Sequence, residues 1–360
     1  MTSRIDRTIA SHRAALDRQE RAAFAKMASA YQVALDSLAG DLSRLEGELK
    51  AMVEQGETPT VGRVFRLKQT GSLLLQAERQ FSRFADGLGV QLDAEVANAV
   101  ARAATDADEL VRAALGPPPT GVVADALFTQ LPDQSLRNVV ATTAGGPLSD
   151  ILDGFGPYAA DVARQALAVG VASGMHPNLI ARRLKDALGV PFHRAATIAR
   201  TEVLRGYREA TREFYRANSH TVTGWIWHCA LNGHTCACCW AMHGRIFDFD
   251  TPMGTHPNCR CAMVPKTKTW KQLGFDVGGE AETAARIPSG ASLFAKLPAS
   301  TQRQILGPRG FGLYRSGEVE LEDFVRRSES QDWGTTRQQA SVAYALKQAD
   351  KRTGGKRNAA

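Results

Sequence analysis

Five of the six cysteines fall in two short patches, HTCACC at 234–239 and THPNCRC at 255–261. Two distant turns that gather thiols in this way constrain the fold strongly, because both must deliver their sulfurs to one place. Cys236 and Cys239 stand in C-x2-C spacing, which lets one tight turn aim two sulfurs at one ion. His256 and Cys259 repeat the spacing. Cys261 follows two residues on, on the same face if that stretch is a strand. The N-terminus, MTSRIDRTIASHRAALDRQERAA, is charged and periodic and lacks the apolar core of a secretory signal. The expected compartment is therefore reducing, where clustered cysteines serve as metal ligands or free thiols rather than disulfides.

Soft Cys/His donors in paired turns suit a tetrahedral structural Zn2+. Five donors compete for four positions. Cys236, Cys239 and Cys259 are the favoured ligands, with His256 and Cys261 disputing the fourth. Reduced cysteines packed as small apolar groups are the plainer alternative, and a redox or catalytic thiol is a third. Cys238 should point away from the ion, and Cys229 should sit in the core. His228, His234 and His243 are expected beside the site or on the surface. A catalytic zinc would need an open position and a nearby acid or base. The H-x-E element of deaminases and the H-E-x-x-H element of metalloproteases are both missing. No enzymatic activity is expected.

The rest of the chain predicts a mainly α protein. It has a helical N-terminal region, a small α+β zinc-knuckle-like domain and a helical C-terminal tail. Residues 1–116 read as a helical bundle or hairpin. A stripe through Phe24, Met27, Tyr31, Leu35, Leu38, Leu42, Leu45, Leu49 and Met52 is followed by helices over about 60–86 and 91–115. GPPPTG, Gly116–Gly121, predicts a hinge. Residues 122–190 read as a helical connecting region, with helices over about 122–142, 148–174 and 177–188. Residues 191–270 hold a helix over Pro191–Asn218 and then short strands in TVTGWIWHCA, GRIFDFD and CAMVPK. Residues 271–360 read as a helical extension with a disordered end. With 44% hydrophobic residues and a formal net charge of +7, the composition allows a sizeable core and contact with nucleic acid. No stretch is apolar enough to predict a membrane span.

AATIARTEVLRGYREA, a tryptophan-bearing strand, TCACCWAMHGRIF and HPNCRCAMVP follow one another in this order. The combination, over about 175–266, resembles the phage head morphogenesis domain of the Mu F-like minor head proteins. LPASTQRQILGPRGFGLYRSGEVELEDFV resembles the C-terminal extension of some members. The resemblance implies a virion component of a tailed bacteriophage or prophage, assembled in the bacterial host cytoplasm. It implies action in capsid assembly at the portal vertex and carriage in the head. Its partners would be the phage portal protein and other head proteins. Where members often carry an acidic residue and an arginine before T-C-x-x-C, this chain has Asn232 and His234.

Arg200, Thr201 and Glu202 read as structural polar contacts. Two residues along a helix is about 200° of rotation, so Arg200 and Glu202 face apart. Trp225 and Trp227 are possible partner contacts, as is the stripe from Phe24 to Met52. A second reading is a zinc-bearing protein bound to packaged DNA through Arg182, Arg183, Lys185, Lys351, Arg352, Lys356 and Arg357. A third is an enzyme or toxin-associated domain.

Overall fold

The computed structural model describes residues 4–119, 133–144, 152–275, 287–330 and 334–354. It is mainly helical, with a small sheet and a hairpin. The end of the expected hinge, residues 122–132 of the helix expected over about 122–142 and the end expected to be disordered lie outside the described residues.

The elements of the N-terminal half are α1 (Arg4–Asp36), α2 (Ala39–Glu54), α3 (Val61–Val64), α4 (Lys68–Leu115), α5 (Asp133–Ala144), α6 (Phe155–Ala172), α7 (Pro177–Leu188) and α8 (Val190–Ala217). The single N-terminal stripe is thus two helices, broken at Ser37 and Leu38. Two expected helices are one: α4 runs through Gly87 and Gly89, because Leu88, Leu92 and Val96 stay buried across them. Helix propensity costs of about 1 kcal/mol per glycine are outweighed by that burial. α4 stops at Leu115, where Gly116 takes a positive φ of 75° and Pro117 to Pro119 follow.

The chain divides into two compact units that are discontinuous in sequence, whereas the expected regions were sequential. One comprises residues 16–96 and 142–203. Its centre is Tyr31, whose ring lies 5.0 Å from Phe81, 5.0 Å from Phe84 and 5.1 Å from Phe192. The Tyr31 hydroxyl donates to the carbonyl of Leu188. α6 comes so close to α4 that a Cβ on Gly156 would fall 2.1 Å from Ser82 Oγ. Only glycine allows that approach.

The other unit comprises residues 1–15, 97–141 and 204–360. Its antiparallel sheet has the order β2-β1-β3, from β1 (Val222–His228), β2 (Ile246–Phe247) and β3 (Ala262–Thr267). Trp225 pairs with Phe247 on one side and Pro265 on the other, and Trp227 pairs with Met263. A short helix, α9 (Ala237–Met242), connects β1 to β2. Asp106 on α4 accepts from Tyr207 of α8 at 2.8 Å and from Arg102 at 3.1 Å.

The C-terminal part is not wholly helical. α10 (Gly290–Phe294), α11 (Ala299–Arg315, kinked at Gly307 before Pro308), a 3-10 turn (Leu321–Phe324) and α12 (Val342–Arg352) accompany a hairpin of β4 (Val325–Ser330) and β5 (Gly334–Gln339). The hairpin strands are polar, so they lack the branched and aromatic alternation that marks a strand. These elements pack Phe294, Leu306, Leu321 and Phe324 around Trp240 of α9. Gln339 accepts from the backbone N–H of Ala237 at 2.8 Å and donates to Ile305 O at 3.2 Å. Arg352 pairs with Asp323 and Glu320, so it fastens α12 and does not offer a free basic charge.

Candidate metal centre

The first cysteine turn is pinned before the helix begins. Asn232 accepts from His234 N and from Thr235 Oγ1, both at 3.1 Å, and Leu231 takes a φ of 54°. Asn232 therefore closes an Asx turn. Cys236 then caps α9, its sulfur accepting from Cys239 N at 3.5 Å. The cap and the helical turn bring Cys236 and Cys239 to one side.

The second turn is closed by Cys259 N donating to His256 O at 3.2 Å. Pro257 occupies its second position. Asn258 occupies its third with φ 63°, a conformation asparagine tolerates better than most residues. The turn sets Cys259 and Cys261 inward, both buried.

The two turns meet. His256 Nε2 lies 3.4 Å from Cys236 Sγ and 3.4 Å from Cys239 Sγ, and the sulfurs of Cys239 and Cys259 are 3.8 Å apart. A tetrahedral zinc with bonds of about 2.3 Å to sulfur and 2.05 Å to nitrogen has edges of about 3.8 Å and 3.6 Å. Two donor triads result, Cys236–Cys239–His256 and Cys239–Cys259–Cys261, sharing Cys239. All five sequence-predicted donors line one cavity of about 190 Å3, with Asn232, His234 and Arg260 at its edge. His256 Nδ1 donates to Pro257 O at 2.8 Å. That bond leaves Nε2 as the atom facing the sulfurs, the tautomer a metal ligand requires.

Hydrogen bonds among the donors redistribute their protons. Cys236 is drawn down to about 5, first by the hydrogen bond with Cys239 and then, against its burial, by His256. Cys259 is held well below the usual thiol range by hydrogen bonds with Cys239 and Cys261. Cys239 is raised by the same contacts, and burial raises Cys261. Burial opposes protonation of His256, but its bonds to Cys236 and Cys259 outweigh that and lift it to about 11. The pocket thus sets two thiolates, Cys236 and Cys259, against the His256 cation and holds Cys239 and Cys261 as thiols.

Cys238 and Cys229 lie in the surrounding core, and burial raises both thiols. His228 and His243 are buried against each other and join neither donor triad.

Trp225 and Trp227 are not exposed partner contacts. Both rings are fully buried, and Trp225 stacks on Phe247 at 4.5 Å. As alternate residues they share one face of β1, and that face is the one covered by the cysteine turns and α8. Likewise Met27, Tyr31, Leu38, Leu45 and Leu49 of the N-terminal stripe are core residues. The three residues of the polar triplet have different surroundings. Arg200 binds Glu20, Thr201 Oγ1 donates to Thr197 O at 2.6 Å, and Glu202 is fully buried.

Arg208 is the residue that sequence reasoning missed. It is buried on α8 and donates to Cys259 O at 2.7 Å, to Cys261 O at 3.0 and 3.1 Å, and to Thr255 Oγ1 at 3.0 Å. The available signal was its place three and seven residues before Thr211 and Tyr215, on the buried face of the helix.

Neither the curated proteins nor the solved structures contain a match to this chain. The family described as phage Mu protein F like protein matches residues 161–264. That segment holds most of α6, all of α7 and α8, β1, α9 and both cysteine turns, and over it the Mu F-like resemblance read from the sequence is borne out.

Proposed function

We propose that this chain is a minor head protein of a tailed bacteriophage or prophage, acting in capsid assembly at the portal vertex and carried in the head. The observation that supports this is the coincidence of the matched segment with the donor cluster. Among the described residues no helix is long and apolar enough to cross a membrane. In this reading a structural zinc locks the two turns between β1 and β3. Four of Cys236, Cys239, His256, Cys259 and Cys261 supply its ligands, and the ion cross-links the segment. Protein donors saturate such a site, leaving no position for a substrate, so the proposed role is assembly and not catalysis.

A second role, contact with packaged DNA, has one supporting observation. Arg327 and Arg337 stand directly opposite in β4 and β5, and among the described residues neither has a carboxylate partner. Like charges in that register repel unless an anion joins them.

Two measurements test the role. Mass spectrometry of purified DNA-filled virions should detect the chain. Co-expression with the cognate portal should yield a complex that survives moderate salt, whereas phosphate-driven DNA binding falls steeply. Infectious heads lacking the chain would defeat the assembly reading.

A further inference from the structure

The acceptors of Arg208 are all neutral: two backbone carbonyls and one hydroxyl. No carboxylate pairs with it among the described residues. Arginine keeps its proton in proteins, and a buried charge without a counter-charge is strongly unfavourable. The anions the fold offers it are the sulfurs of the turn whose carbonyls it holds.

This constrains which four donors bind. A divalent zinc with three thiolates and a neutral imidazole carries one net negative charge. With four thiolates it carries two. Arg208 brings the first set to neutrality and leaves the second with an excess charge in a buried site. The contacts point the same way. His256 Nε2 is 3.4 Å from both sulfurs of the first turn, and Cys259 Sγ lies 3.8 Å from Cys239 Sγ, the edge a tetrahedral zinc requires. Cys261 groups with Cys239 and Cys259 alone.

We infer that Arg208 is a positioning residue of the metal centre, which selects Cys236, Cys239, His256 and Cys259 as ligands and leaves Cys261 a buried thiol. The inference rests on the zinc reading proposed above. It gives the guanidinium two tasks: its fork fixes the carbonyls on both sides of Arg260, and its charge balances the loaded cluster.

The test uses the full chain loaded with zinc. X-ray absorption at the zinc edge should show three sulfurs and one nitrogen. In chelator competition, Arg208→Gln should weaken zinc binding by about 10- to 100-fold, the usual range for residues behind a ligand. Arg208→Lys keeps the charge but not the fork, and should recover part of that loss. Cys261→Ser should keep its zinc, and His256→Ala should bind it more weakly. An arginine with a merely structural role would lower the stability of metal-free and loaded protein alike and leave zinc affinity unchanged. Four sulfurs at the zinc edge, or wild-type affinity in Arg208→Gln, would overturn this inference alone. A wild-type chain that takes up no zinc would overturn the metal reading with it. If Arg208→Gln does not fold, the absorption spectrum of the wild-type chain still decides the ligand set.

Discussion

The imidazole of His228 meets that of His243 edge to face, with ring centroids 4.8 Å apart. His243 Nδ1 accepts from Cys229 N at 3.1 Å, and His228 Nδ1 lies 3.2 Å from a guanidinium nitrogen of Arg13. Burial, then the charge of Arg13 and the neighbouring His243, draws His228 down to about 3, with Asp6 opposing. Burial and Arg13 draw His243 down to about 4. Both rings are therefore neutral in the folded chain at neutral pH. In the unfolded chain they take up protons near pH 6.5. Their folded values are depressed, so the unfolded state binds more protons below that point. Stability should be retained above about pH 6.5 and fall as pH drops toward 4 and 3. At pH 5 the loss is on the order of 2 kcal/mol for each ring. Urea denaturation at pH 7.5 and pH 5.0 measures it, and His243→Gln should flatten the slope. Equal stability at the two pH values would refute the pairing.

Zinc is the second expectation. Protein purified without chelator should carry about one ion per chain, because the donor edges match a tetrahedral site. Cys236→Ser with Cys239→Ser should abolish binding and destabilise the unit that holds the sheet, since binding and folding are coupled. Cys238→Ala should keep the metal. Retention of full thermal stability after chelation would count against a structural ion.

Gly290 offers a packing test. A Cβ there would lie 1.8 Å from Trp240 O and 2.8 Å from His243 Cβ. Backbone has to move to relieve that contact. Gly290→Ala should cost about 1–3 kcal/mol, the usual range for overpacking. The melting temperature reports it, and an unchanged value would show that α10 can shift freely.

Limited proteolysis should cut between Gly116 and Gly121, just beyond the end of α4. The expected product is a helical N-terminal fragment. Resistance there, under conditions that trim the C-terminus, would mean the proline segment is covered.

Much of this was legible in the chain itself. The helix at Pro177–Leu188, the helix after it and β1 were readable because proline starts and apolar periods mark them. The convergence of two turns on one centre was readable from the x2 spacings. The burial of Trp225 and Trp227 was not, because alternation shows that two rings share a face but not what covers it. Arg208 was hidden for a related reason: helix periodicity places it among buried residues, yet its acceptors are carbonyls of a turn about fifty residues away. The β4–β5 hairpin escaped because its pairing rests on backbone bonds with little apolar content.

The two bonds of Gln339 bear on how this protein can be dissected. Its amide supplies the acceptor for the first free N–H of α9 while gripping Ile305 in α11. A chain cut after Val264 would keep every cysteine and still lose that acceptor. It would also strip Trp240 of its apolar cover. The matched segment is therefore shorter than the smallest piece that should fold around its own cysteine turns. A chain that ended soon after the second cysteine turn would have to cap this helix from elsewhere.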